Sequence, residues 1–331
     1  MKKSRKLRHN ILYGDDKKMG NVPGLTKTVS RIFFGTANPP VSTGDITAYD
    51  LLDSVLETGI NAFDCARSYG KAEEILGKWI ESRKCREKVI ILTKCGDMKA
   101  GIVSVNRSVI MEQLNQSLES LRTDCIDIYL LHRDDPNTPV EEFINTLNEA
   151  KEAGKIKVFG VSNWTHQRIE KANRYAESKG LTGFQVSSPN YGLALQVQDL
   201  WGGGCVSISG DKAACSWYAG NQMPVIAYSS LGRGFFSGKF KAGDYESARR
   251  HMDSFAQKGY LCEANMLRLR RAEKLAERYG VSVPEIAMRY VFSNKMNIFA
   301  VVSTTSAERL RMNIHAANNP LSAEDAAYLE A

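Results

Sequence analysis

The chain has 331 residues, 43% of them hydrophobic and 24% charged, a composition that buries a large core and excludes a disordered polymer. Much of its net charge of +7 comes from Lys2, Lys3, Arg5, Lys6 and Arg8, so the basic balance reads as a solvated tail and not as a nucleic-acid-binding face. No run approaches the ~18 apolar residues of a membrane span, no apolar signal segment follows the tail, and the seven cysteines show no C-x-x-C spacing, which points to a cytoplasmic protein with reduced thiols and no metal site.

Residues 1–29 join the basic tail to a stretch carrying Gly14, Gly20, Pro23 and Gly24, where an extension or short hairpin capping one end of the fold is expected. From residue 30 to 331 a single domain is expected. Short runs rich in Val, Ile and Phe recur at 30–35 ("SRIFFG"), 60–64 ("INAFD"), 88–94 ("KVIILTK") and 126–131 ("IDIYLL"). They continue at 157–161 ("KVFGV"), 183–187 ("GFQVS"), 223–228 ("MPVIAY") and 297–302 ("NIFAVV"). Between them lie helical patterns, with Leu51, Leu52, Val55 and Leu56 in 47–58 and Val109, Leu114, Leu118 and Leu121 in 107–122. Apolar strands separated by helices pair in parallel and are covered on both faces. Eight such units predict an α/β fold, a closed (β/α)8 TIM barrel. Residues 192–222 are too long for an ordinary connection between strands six and seven, and Trp201, Trp217 and Tyr218 suggest an ordered lid there.

In such a barrel, chemistry gathers where the strands end. Asp64 closes the second strand with Tyr69 just beyond it, Lys94 closes the third and His132 follows the fourth. Each has an ordinary reading alone: the Asp as a cap or turn former, the Lys reaching to water, the Tyr and His as packing. Their convergence on one rim is what points to catalysis. Ser162 and Asn163 after strand five, Gln185 on strand six and Tyr228 at the end of strand seven are expected at the same mouth. Cys65 and Cys95 follow two of the candidate catalytic residues, and strand alternation should turn both thiols away from it. "GRGFFSG" at 232–238 is no phosphate loop, because Ser237 stands where G-x-G-x-x-G requires glycine.

The segments "FDCARSYG", "ILTKCG", "DIYLLH", "GVSNW", "VIAYSSLGRGFFSGK" and "STTSAERLRMN", in this order, resemble the aldo-keto reductase superfamily over about residues 28 to 320. The resemblance implies a barrel that binds NADP(H), or less often NAD(H), without a Rossmann domain, and places Asp64, Tyr69, Lys94 and His132 in the four catalytic positions. Tyr69 is then the proton donor, Lys94 the cation that lowers its pKa, Asp64 the partner of Lys94, and His132 a neutral hydrogen-bond donor to the substrate oxygen. It also implies cofactor contacts at Gly35 and Thr36, at Ser162, Asn163 and Gln185 on the carboxamide, and at Tyr228 on the nicotinamide ring. Ser229, Leu231, Gly232 and Arg233 are implied near the pyrophosphate, and Ser303, Thr304, Arg309 and Asn313 near the adenosine and 2′-phosphate. Ser303 and Met312 depart from the Lys and Glu common at those positions, which keeps NAD(H) as the alternative cofactor. Asn38, Trp164, Trp201 and Trp217 are expected to line the substrate mouth. The partner implied is a small carbonyl or alcohol substrate, with neither nucleic acid nor membrane. The alternative function is a nicotinamide-binding sensor or regulatory subunit with slow or no turnover.

Overall fold

Alternation of inward and outward side chains decides how the eight apolar runs come together. A computed structural model describes residues 19–98, 103–201 and 203–331. Its barrel strands are β3 (Ile32–Gly35), β4 (Ala62–Asp64), β5 (Ile90–Cys95), β6 (Ile126–Leu131), β7 (Ile156–Ser162), β8 (Val186–Ser188), β9 (Val225–Ala227) and β10 (Ile298–Val302). Each pairs in parallel with its neighbours, and β10 pairs with β3 to close the barrel. Phe33, Ala62, Ile90, Leu92, Ile128 and Phe299 point inward and pack with Val158, Val186 and Ile226 as one apolar plug. The alternate residues, among them Phe34, Phe63, Ile91, Tyr129 and Phe159, face the helices and form the larger outer core.

The expected hairpin is present. β1 (Met19–Gly20) pairs antiparallel with β2 (Val29–Ser30), and Val22, between them, joins the interior plug and closes the lower end. The basic tail at residues 2–8 lies outside the described residues.

Helices α1 (Ala48–Glu57), α2 (Ala72–Arg83), α3 (Arg107–Leu121), α4 (Val140–Glu152) and α5 (His166–Ser178) follow successive strands. Side-chain caps start several of them: Asn106 accepts from Val109 N at α3 and Thr165 from Arg168 N at α5. The long connection after β8 is shorter than the sequence suggested. Lys212–Asn221 is α6, an ordinary barrel helix capped by Asp211, so Trp217 and Tyr218 belong to that helix and the irregular part ends before it. A second enlargement lies between β9 and β10, where α7 (Tyr245–His251) and α8 (Ser254–Tyr260) precede α9 (Glu263–Tyr279) and α10 (Val283–Val291). α11 (Ala307–Asn318) and α12 (Ala323–Glu330) complete the fold.

Close strand approach sets one strict requirement. A Cβ added at Gly160 on β7 would lie 2.0 Å from the carbonyl oxygen of Val186 on β8. Gly160→Ala is therefore expected to destabilise the protein by about 2–3 kcal/mol through forced strand separation, read as a lowered urea midpoint with an unchanged slope.

Candidate active site

Register brings the ionisable side chains together. Gly35 pairs with Asp64, Asp64 with Leu92, and Lys94 with Leu130, so Lys94 stands one inward position above the level of Asp64 and His132 one above Leu130. At the strand ends Lys94 Nζ lies 2.6 Å from Asp64 Oδ1, and it donates to the Cys65 carbonyl at 2.8 Å and to the Tyr69 hydroxyl at 3.2 Å. Tyr69 is held by the turn after β4, where its N–H bonds to Ala66 O, and a Cβ at Gly70 (φ +58°) would stand 2.6 Å from Ser42 O. The Tyr69 and His132 rings meet edge to face, 5.9 Å between centroids.

Burial governs the electrostatics. It opposes the charge on Lys94, but Asp64 and Tyr69 outweigh it and raise the ammonium above its ordinary pKa, so Lys94 is cationic. Burial raises the Asp64 carboxyl, against the opposing pull of Lys94. Tyr69 corrects the sequence expectation: burial pushes its hydroxyl up to about 12, and Lys94 pulls down without overcoming it. His132 is lowered to about 3 by burial and then by Lys94, with Asp97 pulling the other way, so the imidazole is neutral. Cys65 and Cys95 point outward as alternation requires, and burial pushes both thiols up to about 12.

These groups sit at one end of a cavity of about 1150 Å³. Its wall continues through Gly35, Ser162, Asn163, Tyr228, Ser229, Leu231 and Arg233 to Ser303, Thr304, Arg309 and Asn313, with Asn38 and Trp201 at the mouth. Asn163, at φ +62°, is fully committed. Its amide donates to His132 O and Ser162 Oγ at 3.1 Å each, and its carbonyl accepts from Val206 N at 3.2 Å and Tyr228 OH at 2.7 Å. It knits three strand ends and the long connection together. At the far end Asn313 is 3% exposed, and its Oδ1 is buried without a hydrogen-bond partner. Arg309, near the first turn of α11, has no ion-pair partner among the described residues.

Six expected positions lie elsewhere. Gln185 precedes β8 and points outward, since Val186 and Ser188 take the inward places; it bonds to Pro23 O at the lower end, and Ser188 faces the cavity instead. Trp164 is 1% exposed and packs between Phe143 and Phe184. Trp217 lies on α6 against His166 and Tyr218, while Tyr218 is buried with its hydroxyl 2.7 Å from Ser187 Oγ. Thr36 turns its hydroxyl to Asp64 O, and Gly232 sits behind the cavity wall against Ala194.

The sequence model of the Aldo/keto reductase family matches residues 31–331. The chain belongs to the aldo/keto reductase family. It is 28% identical to the L-glyceraldehyde 3-phosphate reductase of Escherichia coli O157:H7, covering 85% of this chain and 82% of that one. It is 31% identical to aldo-keto reductase YhdN of Bacillus subtilis strain 168, over 75% and 72% of the two chains. Its identity to the putative aryl-alcohol dehydrogenase AAD14 of Saccharomyces cerevisiae is 30%, over 86% and 76%.

In this aldo/keto reductase, an oxidoreductase, the motifs carried no signal for Asp97, Arg133, Ser188 and Lys239, all of which line the cavity. Counting inward positions from Val186 would have found Ser188; the others depend on how loops fold over the mouth. Among the described residues no helix is long and apolar enough to cross a membrane.

The low pKa of His132 has a measurable sign. The unfolded chain binds this proton near the ordinary value of about 6.5 and the folded protein only near 3. Between those values the unfolded state holds more protons, so stability falls as pH falls, by at most about 1.4 kcal/mol per pH unit. His132→Gln is expected to flatten that part of the stability–pH curve, measured by urea unfolding from pH 7 to 4.

Proposed function

We propose that the protein is an NADP(H)-dependent reductase of a small aldehyde, ketone or keto-sugar, or in reverse a dehydrogenase of the corresponding alcohol, with Tyr69 as general acid and base. The observation that carries this reading is one continuous cavity with the Asp64–Tyr69–Lys94–His132 cluster at one end and Arg309 and Asn313 at the other. A dinucleotide fits the donor set. The orphaned Asn313 carbonyl suits an adenine amine. Arg309 and the N-terminus of α11, capped by Ser306, suit a 2′-phosphate. Arg233 and Lys239 suit the pyrophosphate, and Tyr228 and Ser162 the nicotinamide. Carboxamide binding by Asn163 would require exchange of one of its four internal bonds.

When bound, the nicotinamide supplies or takes the hydride at the carbonyl carbon. Tyr69 gives its hydroxyl proton to the oxygen as it becomes an alkoxide: the phenol O–H breaks and the alcohol O–H forms. Lys94, 3.2 Å from that hydroxyl, stabilises the phenolate left behind. Asp64 holds the ammonium in place and limits the penalty of burying it. The high pKa of Tyr69 keeps it protonated and ready to donate at neutral pH. The free cysteines support a cytoplasmic location.

The test is oxidation of NADPH, with NADH in parallel, against aldehydes, ketones, keto-sugars and triose phosphates, and the reverse reaction with aryl alcohols. Tyr69→Phe is expected to lower kcat by roughly 10²- to 10⁴-fold while cofactor still quenches or shifts protein fluorescence. Cofactor binding without turnover of any carbonyl or alcohol would replace this reading with the sensor. Arg309→Ala is expected to raise KM for NADPH about tenfold or more, from loss of a charge-assisted hydrogen bond of about 1.5–3 kcal/mol. The NADH value should move much less.

A further inference from the structure

After β8 the chain leaves the barrel as an irregular segment with a buried inner face, where Leu193 is 0% and Leu200 1% exposed. Backbone groups buried there have no ladder or helix of their own and must find other partners. The main-chain hydrogen bonds of Leu193, Leu195 and Val197 all run to the junction of α8 and α9. Asn265, 0% exposed in the first turn of α9, accepts from Leu195 N and donates to Leu195 O and Tyr260 O, each at 2.8 Å. An amide side chain offers donor and acceptor together, so it pairs with both main-chain groups of one residue as a neighbouring strand would. One turn on, Arg268 donates to Leu193 O at 2.6 Å, and Val197 N donates to Gly259 O at 2.8 Å. Gly259 permits this approach, since a Cβ there would stand 2.4 Å from Leu200 Cδ2.

The clasped segment continues into the cavity wall. Leu200 and Trp201 line the cavity, and Asp199 ties them to the clasp by accepting from Trp201 N at 2.9 Å and Cys205 N at 2.7 Å. On the other side of the clasp, Asp253 caps α8 and lies 2.9 Å from Arg233, while Phe255 and Lys258 of α8 line the same cavity. Asn265 itself is not part of the lining. It stands behind the wall and joins the connection after β8 to the insertion after β9.

We infer that Asn265 is a positioning residue for the substrate mouth, fixing Leu200 and Trp201 over the cavity by tying residues 193–197 to the α8–α9 unit. Its effect on substrate rests on the proposed reductase site; the clasp itself does not. Because Asn265 touches none of Asp64, Tyr69, Lys94 and His132, its loss leaves the proton-transfer groups in place. What it removes is the fixed wall against which a carbonyl is held, so the change falls on substrate affinity and not on the chemical step.

The test joins amide hydrogen exchange of the full-length, ligand-free protein, read by NMR, to steady-state kinetics. In the wild type the amides of Leu195, Val197 and Trp201 are expected to exchange slowly, in step with Met266 of α9. Asn265→Ala is expected to speed all three about tenfold or more while Leu275, farther along α9, keeps its protection. The same variant is expected to raise KM for whichever carbonyl is turned over about tenfold, with kcat changed by less than about threefold. A merely structural loss would lower the folded fraction, and with it the apparent kcat, without moving KM. Fast exchange at Leu195 in the wild type overturns the inference, as does a folded Asn265→Ala with unchanged exchange or unchanged KM. The wild-type exchange alone decides if the variant fails to fold. Exchange needs no substrate, so slow amides that the variant releases, in a protein that turns over no carbonyl, would leave the clasp standing and defeat the reductase reading alone.

Discussion

A charged lysine held inside a barrel is the constraint around which the site is built. Lys94 is 3% exposed, and an ammonium so placed persists only with an anionic partner and further acceptors in good geometry. Asp64 supplies the charge at 2.6 Å, and the Cys65 carbonyl and Tyr69 hydroxyl take the remaining donor directions. These partners come from β4 and the turn behind it, so the stagger of two neighbouring strands is what makes the ammonium tenable. The same stagger brings Tyr69 to the lysine.

Around that pair, burial acts on every titratable group, opposed by nearby charge at Tyr69 and Lys94 and reinforced by the Lys94 charge at His132. Burial wins at Tyr69 and His132, leaving a protonated phenol and a neutral imidazole. Charge wins at Lys94, and also at Asp97, where burial is outweighed by His132, Ser68, the Met98 N–H and Arg133 and the carboxyl is held below its ordinary value. The outcome is a cluster with one mobile proton near the cavity, on Tyr69, and fixed charges behind it. An arrangement of this kind does acid–base work without a change in the charges of its frame.

Much of the remaining wall comes from the two enlarged connections, and the far end from the loop after β10 and from α11. The segment after β8 carries Trp201, whose ring lies 5.6 Å from the guanidinium carbons of both Arg133 and Arg233. The insertion after β9 brings Asp253 to within 2.9 Å of Arg233 and sets Phe255 beside it. Asn163 joins the β6, β7 and β9 ends to Val206 of the first segment. The mouth is thus cross-linked by side chains that also line the space where a ligand would lie.

Much of this was legible in the order of residues. Eight apolar runs at helical intervals specify a parallel barrel, and residues that end strands at Asp64, Lys94 and His132 fall on one rim because parallel strands all end on the same side. Period-two alternation likewise determined that Cys65 and Cys95 face the helices. What the sequence left open depended on where a strand begins, and on what covers it. Gln185 reads as part of an apolar run, yet β8 starts one residue later and parity turns that side chain out. Trp164 and Trp217 are large and lie near strand ends or loops, but packing against Phe143, Phe184 and Tyr218 buries more apolar surface than an open mouth could. Asp97 and Arg133 belong to no periodic pattern; only the folded loops bring one carboxylate against both the imidazole and the guanidinium. Local spacing determines the faces of strands and helices, whereas contacts between loops far apart in the chain exist only once the barrel has closed.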